Sequence, residues 1–200
     1  MNIKETYISF TGEIDVGSYA LFVVLDTDGT FILEDELAKQ MVFFPKVVFE
    51  GDVASHTKEF ALLHKKILKT KPNINIVLNF SSDKRPRHIN GLTNITFIVD
   101  VLLESTGSNN INRVSFDAMN WFVGVGALFK FYIREIKDFK EAISIINEYS
   151  IPKNKSYFAL KYDVTTEKLE KVMQYAKTNN VNISIDIKDL FWRHDGRIVK

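Results

Sequence analysis

The residues best placed to do chemistry follow an apolar run: Leu21-Phe22-Val23-Val24-Leu25 leads into Asp26-Thr27-Asp28-Gly29-Thr30. Such a run reads as a buried strand, which puts both carboxylates at its C-terminal end. A metal and a phosphoryl group could be held there. The same Asp26 to Gly29 segment also reads as a turn, because Asp and Gly are turn residues in their own right. Other groups that could gather around the pair are Ser81 or Ser82, Lys130 or Lys161, and Asp186 with Asp189. His56 and His64 stand eight apart with Glu59 nearby, without the i, i+4 spacing of a helical metal pair, and are expected as solvated helix histidines. Lys84-Arg85-Pro86-Arg87-His88 is the one local basic run. It reads as a solvated loop, or as a site for phosphate or an acidic partner through Arg85 and Arg87. Trp121 and Phe122 read as core, as do Phe191 and Trp192. If exposed, the last two, followed by Arg193, would mark an interface.

The absence of any cysteine from the 200 residues excludes disulfides, thiolate nucleophiles, cysteine-bound zinc and thiolate-held clusters on this chain's own ligands. A net charge of +1, with both signs interleaved, offers neither a basic stripe for nucleic acid nor an acidic tail. Nucleic acid is therefore not an expected partner. Met1 to Glu5 is polar and unlike a signal peptide. The uncharged stretch Ala118 to Phe129 is too short for a bilayer, which needs roughly 20 residues, so no membrane is expected and the cytoplasm is the expected location. Sixteen phenylalanines point to an aromatic core in one domain over 1–200, with 188–200 as a C-terminal tail.

Strand-like and helix-like segments alternate. Strands are expected at Thr6 to Phe10, Tyr19 to Leu25, Lys46 to Phe49, Asn75 to Phe80, Ile95 to Val101, Leu128 to Ile133, Tyr157 to Tyr162 and Val181 to Ile187. Helices are expected at Leu33 to Met41, Thr57 to Thr70, Asp138 to Tyr149, and after a Thr165 cap, the last carrying Leu169, Val172, Met173 and Ala176. Arg113 to Gly126 is ambiguous, because Gly124 and Gly126 break any long helix. This is the pattern of an α/β fold of about six βαβ units, either a partial (β/α)6-type barrel or an open, mainly parallel sheet flanked by helices.

Leu21 to Thr30 has the form hhhh-D-x-D-G-T, which resembles motif I of the haloacid-dehalogenase phosphatases. That resemblance implies a nucleophile at Asp26 and a general acid/base at Asp28. A second likeness runs from residue 5 to residue 196. Tyr7 to Ile14 stands where 7-carboxy-7-deazaguanine synthases have a strand and a Q-G-E-G turn, and Ala20 to Leu25 where their next strand leads to a cluster loop. Lys46 to Val53 stands for their strand and G-G-x-P turn, and Phe129-Lys130-Phe131-Tyr132-Ile133 for their K-h-V strand. Val181 to Trp192 with Gly196 stands for the closing strand and Q-L-H-K-x-L-W segment. The chain thus resembles that family of radical S-adenosylmethionine enzymes of the queuosine pathway.

The resemblance implies a partial barrel and a homodimer, with Glu13 at the substrate end of the sheet and Asp26, Thr27, Gly51 and Asp52 near the cofactor. It also implies a loss, because the cysteine loop is missing between Leu25 and Asp26-Thr27. No cofactor is then expected, and the chain reads as a pseudoenzyme serving as a protein-binding, regulatory or structural subunit. A nucleotide or deazapurine-like ligand, or non-radical catalysis in the old pocket, is the alternative. The expected contact surfaces are Ser81 to Thr93 and Phe191 to Lys200, with Phe31, Phe43 and Phe44 filling the space of the lost cofactor.

Overall fold

A computed structural model of the protein describes residues 1–11, 18–26, 28–32, 34–89, 91–106, 113–161 and 165–186. β1 (Asn2–Thr11) and β2 (Ser18–Leu25) pair antiparallel, and the two-residue β3 (Thr30–Phe31) pairs with the start of β1. From β2 onward every neighbour is parallel: β4 (Lys46–Gly51), β5 (Asn75–Ser81), β6 (Ile95–Val101), β7 (Leu128–Tyr132), β8 (Ser156–Lys161) and β9 (Asn182–Asp186). The order β3-β1-β2-β4-β5-β6-β7-β8-β9 is that of an open, mainly parallel sheet. The six parallel pairings match the expected units, and of the nine strands only the two-residue β3 has no counterpart among the eight expected.

The helices are α1 (Glu34–Met41), α2 (Thr57–Thr70), α3 (Phe116–Gly124), α4 (Ile136–Glu148) and α5 (Thr166–Asn179). In α2, Phe60, Leu63 and Ile67 recur at the helical period and are buried, and the helix stops just before Pro72. The ambiguous segment resolves into α3 because Ser115 caps it, accepting a hydrogen bond from the Ala118 N–H. Gly126, at φ +72°, then turns the chain into β7. Asp138 anchors α4 by accepting the N–H groups of Arg134 and Glu135 at 2.7 Å each. Of the four apolar residues expected on α5, Val172 and Ala176 are buried and Leu169 packs against the core, but Met173 is exposed.

The two faces of the sheet differ. On one, residues from all five helices pack into a single apolar core with Leu21, Val23, Phe49, Leu78, Phe129 and Phe158 of the strands. On the other, Ala20, Phe22, Val48 and Val77, with Ile98 against them, form a small separate cluster drawn from strands alone. Strand alternation explains the division, since successive side chains point to opposite faces. Among the described residues the second face carries no helix in its apolar cluster, and it is called the helix-free face below.

Candidate functional site

The ends of β2 and β4 meet in register, Leu25 beside Gly51. The Asp52 N–H donates to the Leu25 carbonyl at 2.9 Å, and Gly51 makes that approach possible with φ +84°. Just beyond, the Asp26 carbonyl accepts from Gly29 N–H at 3.1 Å, and its Oδ1 accepts from Asp28 N–H at 3.4 Å. Asp26 to Gly29 is thus a turn in which the first carboxylate serves the backbone. Lys4 Nζ lies 3.6 Å from the other oxygen of Asp26, in a largely exposed ion pair. Asp28 is exposed. Asp26, Gly51 and Asp52 therefore do come together, at the C-terminal ends of adjacent strands. Among the described residues, no three His, Asp or Glu side chains are grouped to hold a metal ion.

The other expected groups fall elsewhere. Ser82 is fully buried; its Oγ donates to the Arg113 carbonyl at 2.7 Å and accepts from Leu102 N–H at 3.0 Å, so it stitches β5 and β6 to the start of α3. The Ser81 hydroxyl donates to the Asp83 carboxylate. The histidines are not solvated: both are buried, and His64 Nε2 donates to the Thr93 carbonyl at 2.8 Å. The reason is long-range, because the β5–β6 connection folds down onto α2. In the basic run, Arg85 pairs with Asp117 at 2.9 Å, Arg87 is exposed, and Pro86 and Ile89 are buried as anchors. Phe43 does not fill a vacated cavity, since it is 83% exposed, whereas Phe44 packs against the main core. Glu13, Thr27, Asp189, Phe191, Trp192, Arg193 and the remainder of the tail lie outside the described residues.

A constellation that the sequence reading did not assemble lies on the helix-free face. Asp100 of β6 is the register partner of Lys130 of β7 and of Ser81 of β5. Asn79 Nδ2 donates to Asp100 Oδ2 at 2.9 Å, and Lys130 Nζ sits 4.8 Å from the centre of the Tyr132 ring. Lys130 is only 1% exposed. An ammonium ion buried to that degree requires compensating acceptors, because desolvation disfavours the charged form. Ser184 of β9 is buried on the same face, two strands along. The row runs from the C-terminal halves of β5 and β6 to the middle of β7, beside the apolar cluster of Phe22, Val48, Val77 and Ile98. A signal was present in the sequence: Asn79, Asp100 and Lys130 each interrupt an otherwise apolar strand. Only the register brings them together.

An open, mainly parallel α/β sheet with its helices packed on one face, and polar side chains on the other near the C-terminal strand ends, defines a known class of scaffold. Within that class, the chain is similar to the crystal structure of QueE from Escherichia coli, with a TM-score of 0.63 over 92% of this chain and 93% of that one. The sequences are 16% identical, so the likeness is one of fold. No protein-family model matches the chain, and neither does any curated protein. No helix among the described residues is long and apolar enough to cross a membrane.

Proposed function

We propose that this chain is a cluster-free scaffold of QueE-like fold that works by binding and not by radical chemistry. The carrying observation is the combination of that fold over 92% of the chain with a sequence that holds no cysteine. The family resembled in sequence needs three thiolates to hold its cluster. The residues present do not fit that group: after β2 the chain offers the Asp26 turn, whose donors are carboxylates and backbone. The role that follows is that of a partner-binding, regulatory or structural subunit. Its proposed contact surface is the β5–β6 connection, where Arg87 is exposed and Arg85 ties the loop to α3 beside Phe116, which is 72% exposed.

A second reading is favoured by the helix-free face. Burying Lys130 and Asp100 in register brings no apolar gain, whereas a few convergent polar groups beside an apolar patch suit a small ligand. The chain would then bind a small molecule there without radical chemistry. The shared core of both readings is tested by anaerobic reconstitution with iron and sulfide, followed by incubation with S-adenosylmethionine and a reductant. The expected result is no stoichiometric cluster absorbance and no deoxyadenosine. Deoxyadenosine above a no-protein control would falsify the proposal.

A further inference from the structure

We propose that the β5–β6 connection is a preformed receptor for an acidic segment of a partner protein, in which carboxylates flank an aromatic or aliphatic residue. This rests on the partner-binding reading and names the chemistry of the partner. The connection runs from Ser82 to Asn94 with no helix or strand among its described residues. Such a length without secondary structure is uncommon in a domain and marks either a binding loop or a disordered one. This one is tied down along its course. At one end the Ser82 N–H donates to the Asp100 carbonyl at 3.1 Å, and the Ser82 carbonyl accepts from the Ser115 N–H at 2.9 Å. At the other, His64 holds the Thr93 carbonyl and Asn94 Nδ2 donates to the Pro72 carbonyl at 2.9 Å. Between them Arg85 pairs with Asp117, while Pro86 and Ile89 are buried. The backbone carrying Lys84, Arg87 and His88 is thus set before any partner arrives, which removes part of the ordering cost of binding.

The side chains that this strap presents are basic and unused. Lys84, Arg87 and His88 are exposed, and among the described residues none of the three has an ion pair or a side-chain hydrogen bond. The carboxylates alongside are engaged, Asp83 by the Ser81 hydroxyl and Asp117 by Arg85. Arg113, just before α3, is by contrast held by both Glu104 and Glu141. The Arg85–Asp117 bond also places the strap beside Phe116, whose ring is 72% exposed and tilted against Tyr149 with 6.0 Å between centres. An exposed aromatic ring next to uncommitted cations has the composition of a contact surface, an apolar anchor with polar groups around it. Carboxylates are the matching acceptors, bidentate on the Arg87 guanidinium and as a point charge on the Lys84 ammonium. A polyanion fits less well. Asp83 and Asp117 stand beside the cations and the whole chain carries only +1, so a phosphate backbone or an anionic lipid surface meets repulsion as well as attraction. A short acidic segment can seat its carboxylates on Lys84 and Arg87 and its apolar residue on Phe116.

The test is random-peptide display on the immobilised full chain, followed by fluorescence anisotropy with the selected peptides. The expected result is enrichment of aspartate and glutamate around an aromatic or aliphatic residue. Binding should fade in molar salt, where the screening length falls to about 3 Å. Arg87→Glu reverses an exposed charge that no described residue pairs with, so the fold is kept, and it should weaken the selected peptides roughly tenfold by setting like charges face to face. Phe116→Ser removes the apolar anchor and should weaken them by a similar factor. Neutral or basic peptides that bind and are lost on Phe116→Ser would overturn the acidic partner while leaving the connection as a contact surface. Single-stranded oligothymidylate, or phosphatidylserine vesicles, bound through Arg87 more tightly than any peptide would assign the strap to phosphate instead and overturn the protein partner. Selected peptides indifferent to both substitutions, or no selected peptide at all, would overturn the inference. The cluster-free scaffold is judged separately, by the reconstitution with iron and sulfide, which does not depend on this strap.

Discussion

Gly51 is the joint that closes the mouth of the sheet between β2 and β4, and replacing it by alanine tests that geometry. A methyl group there would overlap the Leu25 carbonyl oxygen and lie 3.2 Å from the Leu25 nitrogen, both rigid backbone of the neighbouring strand. The residue also sits at φ +84°, where an L side chain costs about 1–2 kcal/mol. Moving the turn away to relieve the overlap loses the bond from Asp52 N–H to the Leu25 carbonyl, worth about 1 kcal/mol. The sum is about 2–3 kcal/mol. For a chain of this size each kcal/mol lowers the melting temperature by about 2–4 °C, so Gly51→Ala should melt roughly 4–12 °C lower. Circular dichroism melts of the two proteins measure it. A variant melting within about 1 °C of the parent would refute the close approach of these strand ends.

Four further outcomes follow from the structure. Asp26→Asn keeps the side-chain oxygen that accepts from Asp28 N–H and loses the ion pair with Lys4, so urea denaturation should shift by less than about 1 kcal/mol. The same variant and its parent should both fail to hydrolyse a generic phosphate ester with magnesium, and activity lost on mutation would restore the phosphatase reading. Ser82→Ala strands the Leu102 N–H and the Arg113 carbonyl at a buried site and should cost about 1–3 kcal/mol in the same denaturation assay. Asp35 and Glu167 are held below the ordinary carboxylate range, first by hydrogen bonds from Lys66 and Lys171 and then by their charge. Depressed values mean that these pairs support the fold above the ordinary carboxylate range and cease to do so as pH falls through the lowered values. Both pairs are exposed, so Lys66→Met should lower the melting temperature slightly at pH 7 in low salt, and not at all at pH 2 or in molar salt.

The elements were legible where local signals agreed. Phe60, Leu63 and Ile67 at the helical period, followed by Pro72, delimit α2, and the apolar run Ile95 to Val101 is β6 from end to end. The short α3 was not legible, because its glycines argued against a helix while Ser115, a single capping hydroxyl, argued for one. The burial of His64 could not be read at all, since the carbonyl that receives its hydrogen bond belongs to Thr93, 29 residues away. The candidate site was half legible for the same reason. Asp26, Gly51 and Asp52 follow strands in the sequence and can be placed at strand ends without knowing the pairing. Asn79, Asp100 and Lys130 become neighbours only through the β5–β6–β7 register, which no local pattern specifies. Phe43 misled because an aromatic residue beside an apolar strand reads as core, yet it sits on the turn after α1, where its backbone N–H bonds to Gln40.

The most direct test of the small-molecule reading is an electron-density map of the helix-free face, from crystals of the protein grown as purified. That reading predicts density for a small molecule beside Phe22, Val48 and Val77, within reach of Asn79 Oδ1. A face filled by protein side chains, with no room for a ligand, would contradict it.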